Sequence, residues 1–233
     1  MKQSLLNALL AERAAKTPVA LATDLKSGAQ LLVRRDSAEG DLVLDEAGLA
    51  AVRRSLADDV NGTVEGRDNL FVHVFNPPLR MIVVGAVHIA QALVPMAALA
   101  GYEVVVVDPR RAFATDARFP NTSVTTEWPD IAMKRLRPNR RTAVVTLTHD
   151  PKLDDPALQE ALASDAFYIA SLGSRKTHAA RLKRLKEAGF NDDVLMRIHG
   201  PAGLPIGAKS PAEIALSIMA QATQVLHDTG EAA

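Results

Sequence analysis

The chain has 233 residues, room at about 150 residues per domain for one large domain or two small ones, and its 27 basic and 27 acidic side chains cancel to zero net charge. That balance speaks against a nucleic-acid coat or a polybasic membrane anchor. The chain contains no cysteine, which excludes disulfides, thiolate nucleophiles, Cys-ligated zinc, iron–sulfur clusters and any persulfide carried by this chain.

In chain order, a helix is predicted from Ser4 to Ala15, then strands at Val19 to Thr23 and Leu31 to Arg34 joined by a Lys26-Ser27-Gly28 turn. The N-terminal stretch reaches Glu12 and Arg13 quickly and has no small-residue cleavage site, so the expected location is cytoplasmic. A second helix, about Asp45 to Asp58, sets Leu49, Val52, Arg53 and Leu56 at helical spacing, with Asp45 and Glu46 at its positive end. The turn Asn61-Gly62 and a strand from Leu70 to Phe75 follow. The double proline Pro77-Pro78 ends this module and predicts a boundary, with a small α+β domain over 1–78 and a second domain over 79–233.

Beyond the boundary the pattern becomes alternating. Apolar runs of strand length occur at Met81 to Val84, Val104 to Val107, Ala143 to Leu147 and Phe167 to Ala170, separated by helical stretches such as Ala157 to Ala163. Runs apolar on both faces predict an α/β domain with a parallel sheet covered on both sides. Met81 to Tyr102 contains no charged residue, but Gly85, His88, Gln91 and Pro95 punctuate it, so it reads as strand, turn and helix and not as a membrane span. Parallel sheets bind ligands beyond the carboxyl ends of their strands, which directs attention to the residues just after each run.

After the first run, Gly85-Ala86-Val87-His88-Ile89-Ala90 approximates the G-x-G-x-x-G/A turn that brings a pyrophosphate to a helix N-terminus. Gly85 and Ala90 fit two of its three small positions. Val87 stands where the second glycine clears space, which disfavours NAD(P) and leaves a plain βα corner as the alternative. Asp108 ends the next run at a spacing suited to a ribose hydroxyl, and Arg110 and Arg111 follow it, although Asp-Pro is also an ordinary turn.

Thr148, His149 and Asp150 after the third run suit ligand contact or proton transfer, whereas His149 and Asp150 supply only two of the three ligands a catalytic metal site needs; a capped loop is the alternative. Gly173 and Ser174 open a helix with Arg175 and Lys176 beside its exposed N–H groups, a candidate phosphate or carboxylate site. Arg181, Lys183, Arg184 and Lys186 read as a solvated helix face. Gly200 to Lys209 is a Gly/Pro loop whose glycines can bring backbone close to a ligand. Ser210-Pro211-Ala212-Glu213 then forms a capping box before a helix over Ile214 to Leu226.

In this order, Val84 to Ala90, Val107 to Arg110, Arg118-Phe119-Pro120, Thr148-His149-Asp150, Leu172 to Thr177, and Ile206-Gly207-Ala208 with Pro211 to Ala215 resemble the C-terminal Rossmann domain of the XdhC/CoxI family, the xanthine dehydrogenase accessory proteins. The resemblance covers roughly residues 80–225, with a weaker echo at Val19 to Thr23. It implies a Rossmann-like domain preceded by a small α+β domain, and a maturation factor that binds molybdenum cofactor (molybdopterin) and delivers it to a molybdenum hydroxylase apo-enzyme, with a cysteine desulfurase as a possible further partner. No catalytic residue and no metal ligand are assigned. The expected cofactor-binding residues are Gly85, Ala86, His88, Asp108, Arg110, Thr148, His149, Asp150, Gly173, Ser174, Arg175 and Lys176. An NAD(P)-dependent oxidoreductase and a scaffold without ligand binding are the competing readings, and a homodimer is compatible with the sequence.

Three features depart from the family pattern. Val87 replaces the usual second glycine, Ala170 stands where glycine is common, and the shortened N-terminal module lacks the Gly-Gly-Cys stretch of longer members. A direct thiolate contact to molybdenum is therefore impossible for this chain, and any sulfur must come from a partner.

Overall fold

The computed structural model describes residues 2–228, which divide into two compact units with the boundary between Pro77 and Pro78. In the first unit, helix α1 (Gln3–Ala14) precedes strands β1 (Val19–Asp24), β2 (Gln30–Val33) and β3 (Ala38–Gly40). Helix α2 (Glu46–Asp58) and strands β4 (Gly62–Val64) and β5 (Arg67–Phe75) complete it. The strands form an antiparallel sheet in the order β3-β2-β1-β5-β4. Strand β1 is apolar from Val19 to Ala22 because each face carries a helix: Val19 and Leu21 pack with Leu5 and Leu9 of α1, whereas Ala20 and Ala22 pack with Val52 and Leu56 of α2. Asp45 caps α2 by accepting from Gly48 N–H at 2.8 Å. The turn expected at Asn61-Gly62 lies later, at Glu65-Gly66, where Gly66 adopts φ +73°. Asn61 instead accepts from Val74 N–H at 2.6 Å, and Gly62 starts β4.

The second unit is built from β6 (Leu79–Val84), α3 (His88–Leu99), β7 (Tyr102–Val107), β8 (Ser123–Thr125), α4 (Pro129–Leu136) and β9 (Thr142–Thr146). Then come α5 (Pro151–Leu162), β10 (Tyr168–Ser171), α6 (Arg175–Glu187), α7 (Asp192–Leu195), β11 (Ile198–His199) and α8 (Pro211–His227). All neighbouring strands are parallel, in the order β11-β10-β9-β6-β7-β8. The chain builds outward from β6 through β7 to β8, then returns to the other side of β6 and builds through β9 and β10 to β11. This is the parallel sheet expected from the alternating runs, in the doubly wound, Rossmann-like order that the family resemblance implies, and its reversal point lies between β6 and β9.

Side-chain alternation separates two cores. Met81 and Val83 of β6 face α3 and α8 with Leu93, Ala97 and Ile218, while Ile82 and Val84 face the opposite layer with Met133, Leu158 and Leu185. The uncharged stretch from Met81 to Tyr102 is accordingly a buried strand, a turn and a helix. Among the described residues no helix is long and apolar enough to cross a membrane. At α8 the capping box is complete: Ser210 Oγ accepts from Glu213 N–H, and Glu213 Oε2 accepts from Ser210 N–H at 2.8 Å.

Candidate cofactor-binding site

The four strand-end turns singled out in the sequence all emerge at the carboxyl edge of the parallel sheet. Two flank the reversal point. Gly85 follows β6 with φ +112°, and a Cβ there would stand 2.6 Å from Thr148 Cγ2, beyond the end of β9. Only glycine meets both conditions at this position. Gly85 and Ala86 are buried, Val87 packs partly into the core as N-cap of α3, and His88 is exposed at the first position of that helix.

Asp108, at the end of β7, is fully buried and latches this turn. Its Oδ2 accepts from Ala86 N–H at 2.8 Å and from Arg110 Nη2 at 2.7 Å; its Oδ1 accepts from Arg110 N–H and Nε at 3.0 and 2.9 Å. Burial raises the cost of ionising this carboxyl, but the guanidinium and the two N–H groups outweigh it and hold its pKa below the ordinary carboxylate range. The carboxylate expected to meet a ribose thus already has both oxygens engaged by the chain itself. Arg110 rests on the Phe113 ring at 4.8 Å. Arg118 adds a second strap, donating from Nη1 to Ala86 O at 2.7 Å and from Nη2 to Gln91 Oε1 at 3.0 Å.

On the β9 side the organiser is Asp154 of α5, which carries no signal in the sequence. It is 1% exposed; Oδ1 accepts from Thr148 Oγ1 at 2.7 Å and Oδ2 from His149 N–H at 3.0 Å. Burial pushes its carboxyl above the ordinary range against these bonds. His149 adopts φ +62° and is exposed, and Asp150 caps α5 by accepting from Lys152 N–H at 3.0 Å. The capped-loop alternative for Asp150 is realised, while Thr148 and His149 stand beside it at the crevice edge. Among the described residues no group of three or more His, Asp or Glu side chains is placed to hold a metal ion.

One strand further out, β10 leads into Leu172 and Gly173 and then α6. Ser174 caps this helix, accepting from Thr177 N–H at 3.1 Å, and Ser174, Arg175 and Lys176 are exposed. The first N–H groups of a helix have no acceptor inside it, so the turn offers donors and positive charge to an oxyanion. Beside it lies a cavity of about 500 Å³ lined by Leu172, Gly173, Arg175, Pro201, Leu204 and Ile214. The Gly/Pro loop therefore borders the α6 start. A hollow of similar size in the N-terminal unit, near Arg54, Asp58 and Glu65, contains none of the sequence-predicted residues.

The solvated-face expectation for α6 fails at Arg181. Its side chain turns inward, 2% exposed, and Nη2 donates to Leu172 O at 2.8 Å. Arg184 pairs with Asp155 at 2.5 Å and Lys186 with Asp192 at 2.7 Å, so the remaining cations on this helix are only partly free. Helical spacing from Ser174 was the available signal: a residue seven positions on returns to the same face, two turns along.

A doubly wound parallel sheet with a glycine turn at its reversal point and a basic helix start at its edge is the architecture of the Rossmann-type domains. Residues 81–222 match the XdhC Rossmann domain family. The chain belongs to the XdhC family. It is 30% identical over 151 residues to the molybdenum cofactor insertion chaperone PaoD of Escherichia coli, covering 65% of this chain and 41% of that one. It is 31% identical over 157 residues to a probable xanthine dehydrogenase subunit of Bacillus subtilis, covering 67% and 46%. A crystal structure described as a xanthine dehydrogenase from Bacillus halodurans superposes with a TM-score of 0.71 at 22% identity, covering 98% of this chain and 66% of that one, a likeness of fold. The matches span less than half the length of the two curated relatives.

Proposed function

We propose that this chain is an accessory protein that binds the molybdenum cofactor, or a closely related phosphate-bearing pterin, and assists its delivery to a xanthine dehydrogenase-type molybdenum hydroxylase. The observation that carries the reading is the open, basic start of α6 beside Gly173 at the sheet edge, in a chain of the XdhC family. Its N–H groups with Arg175 and Lys176 suit the phosphate of such a ligand, and Thr148, His149 and Asp150 lie at the same edge for its head group. The names carried by the relatives in E. coli and B. subtilis support the same role.

The residues present fit the phosphate end of the cofactor: a buried guanidinium with unpartnered nitrogens lies directly behind the turn. The cofactor brings its own metal and redox chemistry to the enzyme that receives it; this chain binds, orients and releases it. Because the chain has no cysteine, sulfur added during maturation comes from a partner such as a cysteine desulfurase.

NAD(P) chemistry is disfavoured on two counts. Val87 fills the second glycine position, and Asp108 spends both oxygens on Ala86 and Arg110. The decisive experiment expresses the chain with a molybdenum hydroxylase in a host that makes molybdopterin, then measures molybdopterin retained by the purified chain and activity of the hydroxylase. Retention with raised activity is expected; the absence of both overturns the reading.

A further inference from the structure

A buried arginine with spare donors is an unusual thing to find beneath a turn of open N–H groups. Arg181 is 2% exposed, and Nη2 takes Leu172 O at 2.8 Å. Its Nε and Nη1 find no hydrogen-bond partner among the described residues. Leaving such donors unmet in the interior costs free energy, more so on a charged group, so native structures supply a partner for them. Asp154 and Asp155 lie close enough to favour its charge, yet neither bonds to it, because Asp154 is committed to Thr148 and His149 and Asp155 to Arg184.

The guanidinium is aimed at the turn. It reaches from the second turn of α6 back to the carbonyl of Leu172, and a Cβ added to Gly173 would come within 3.6 Å of Nη2. Glycine at 173 therefore keeps a side chain out of the space beside the guanidinium, where Thr177 Cβ and Cγ2 would already stand 3.2 Å from an added Cβ. Gly173 also adopts φ +146°, so the gap is built into the turn.

We propose that Arg181 is the anion-anchoring residue of the α6 turn: an oxyanion of the phosphate or pyrophosphate class, seated on the N–H groups at the start of α6, is held through Gly173 by the guanidinium behind it. The assignment rests on reading the Gly173–Lys176 turn as the phosphate end of the site. It adds that specificity for a multiply charged anion comes from the buried arginine, with the exposed Arg175 and Lys176 contributing attraction that salt screens. Asp154 then stands between the two halves of the crevice, holding the Thr148–His149 turn by hydrogen bonds and balancing Arg181 by charge.

Inorganic pyrophosphate is the probe, titrated calorimetrically into the full chain at low and at physiological salt. Arg181→Lys keeps the charge and removes the planar fork; it should weaken pyrophosphate binding about tenfold or more, and Arg175→Ala should weaken it less, with most of that loss disappearing at higher salt. Should Arg181→Lys unfold the chain, the unaltered protein supplies the second measurement. Its arginine Nε–H resonances are followed by NMR, and pyrophosphate should shift and protect from exchange the Arg181 Nε–H, whereas sulfate, of lower charge, should act only at higher concentration. Equal affinity in wild type and Arg181→Lys, or an Arg181 Nε–H that ignores saturating pyrophosphate, overturns the proposal and makes Arg181 a hydrated structural residue. Pyrophosphate binding without molybdopterin retention would leave this site standing and sink the cofactor reading; molybdopterin retention unaffected by Arg181→Lys would do the reverse.

Discussion

Gly85 and Thr148 face each other across the reversal point of the parallel sheet, so close that a Cβ on residue 85 would stand 2.6 Å from Thr148 Cγ2. Gly85→Ala therefore meets two penalties, the strain of φ +112° and the collision, and should destabilise the chain by about 2 kcal/mol or more. Thr148→Ser deletes Cγ2 while keeping the hydroxyl that donates to Asp154. In that background Gly85→Ala should cost about 1 kcal/mol less, the remainder being backbone strain. Urea denaturation of the four chains measures the coupling; strictly additive costs would show that the two residues do not oppose each other.

The legible part of the structure was whatever repeats along the chain. The apolar runs at Met81 to Val84 and Ala143 to Leu147 mark buried parallel strands because both faces need apolar cover, and Ser210 with Glu213 marks a helix start through local hydrogen bonding. Strands β8 and β11 were not legible: three residues, Ser123–Thr125, and two, Ile198–His199, carry no periodicity and owe their conformation to the neighbouring strand. The site divides in the same way. Turn residues such as Gly85, Gly173 and Ser174 announce themselves by type. Asp154 and Arg181 do not, because a charged residue on a helix reads as solvent-facing unless its partners in other segments are known.

The Asp108 latch should show in acid. Its carboxyl is held below the ordinary range in the folded chain, so the unfolded chain takes up the proton first as pH falls. The stabilisation it contributes is complete above the ordinary carboxylate range and is lost on descending through and below it. Asp108→Asn keeps the volume but sets an NH2 against Ala86 N–H or the Arg110 guanidinium, and should cost about 2–4 kcal/mol at neutral pH. Denaturation at neutral and acid pH tests this: the difference between wild type and variant should shrink in acid, and an equal gap at both would remove Asp108 as the source.

Asp154 carries the opposite sign. Burial raises its pKa, so between the ordinary carboxylate range and its folded value the native chain holds the extra proton, and stability falls as pH rises through that window. Asp154→Asn abolishes this slope. It also removes one acceptor from the Thr148–His149 turn and the counter-charge of Arg181, for an expected net loss of about 1–3 kcal/mol at neutral pH. Thermal melts across the acid to neutral range separate the two effects. A variant as stable as wild type, with the slope unchanged, would show that Asp154 is hydrated and not buried in solution.

His178 and Gly200 provide the last test, because the imidazole of α6 occupies the place a side chain at 200 would take. A Cβ on Gly200 would overlap His178 Nδ1, and that nitrogen is buried with no hydrogen-bond partner among the described residues. Gly200→Ala must therefore push the ring aside, destabilising the chain and disturbing the start of α6; adding His178→Ala should recover part of the loss. The same burial, with the nearby charge of Arg181, lowers the His178 pKa, and burial against Tyr168 lowers that of His199. For both imidazoles the unfolded chain binds the proton first as pH falls through the ordinary histidine range, so stability should decline there, well above the range in which carboxylates titrate. His178→Gln should flatten part of that decline and leave the part due to His199, whereas a profile identical to wild type would mean that the His178 ring reaches water and does not pack tightly against Gly200.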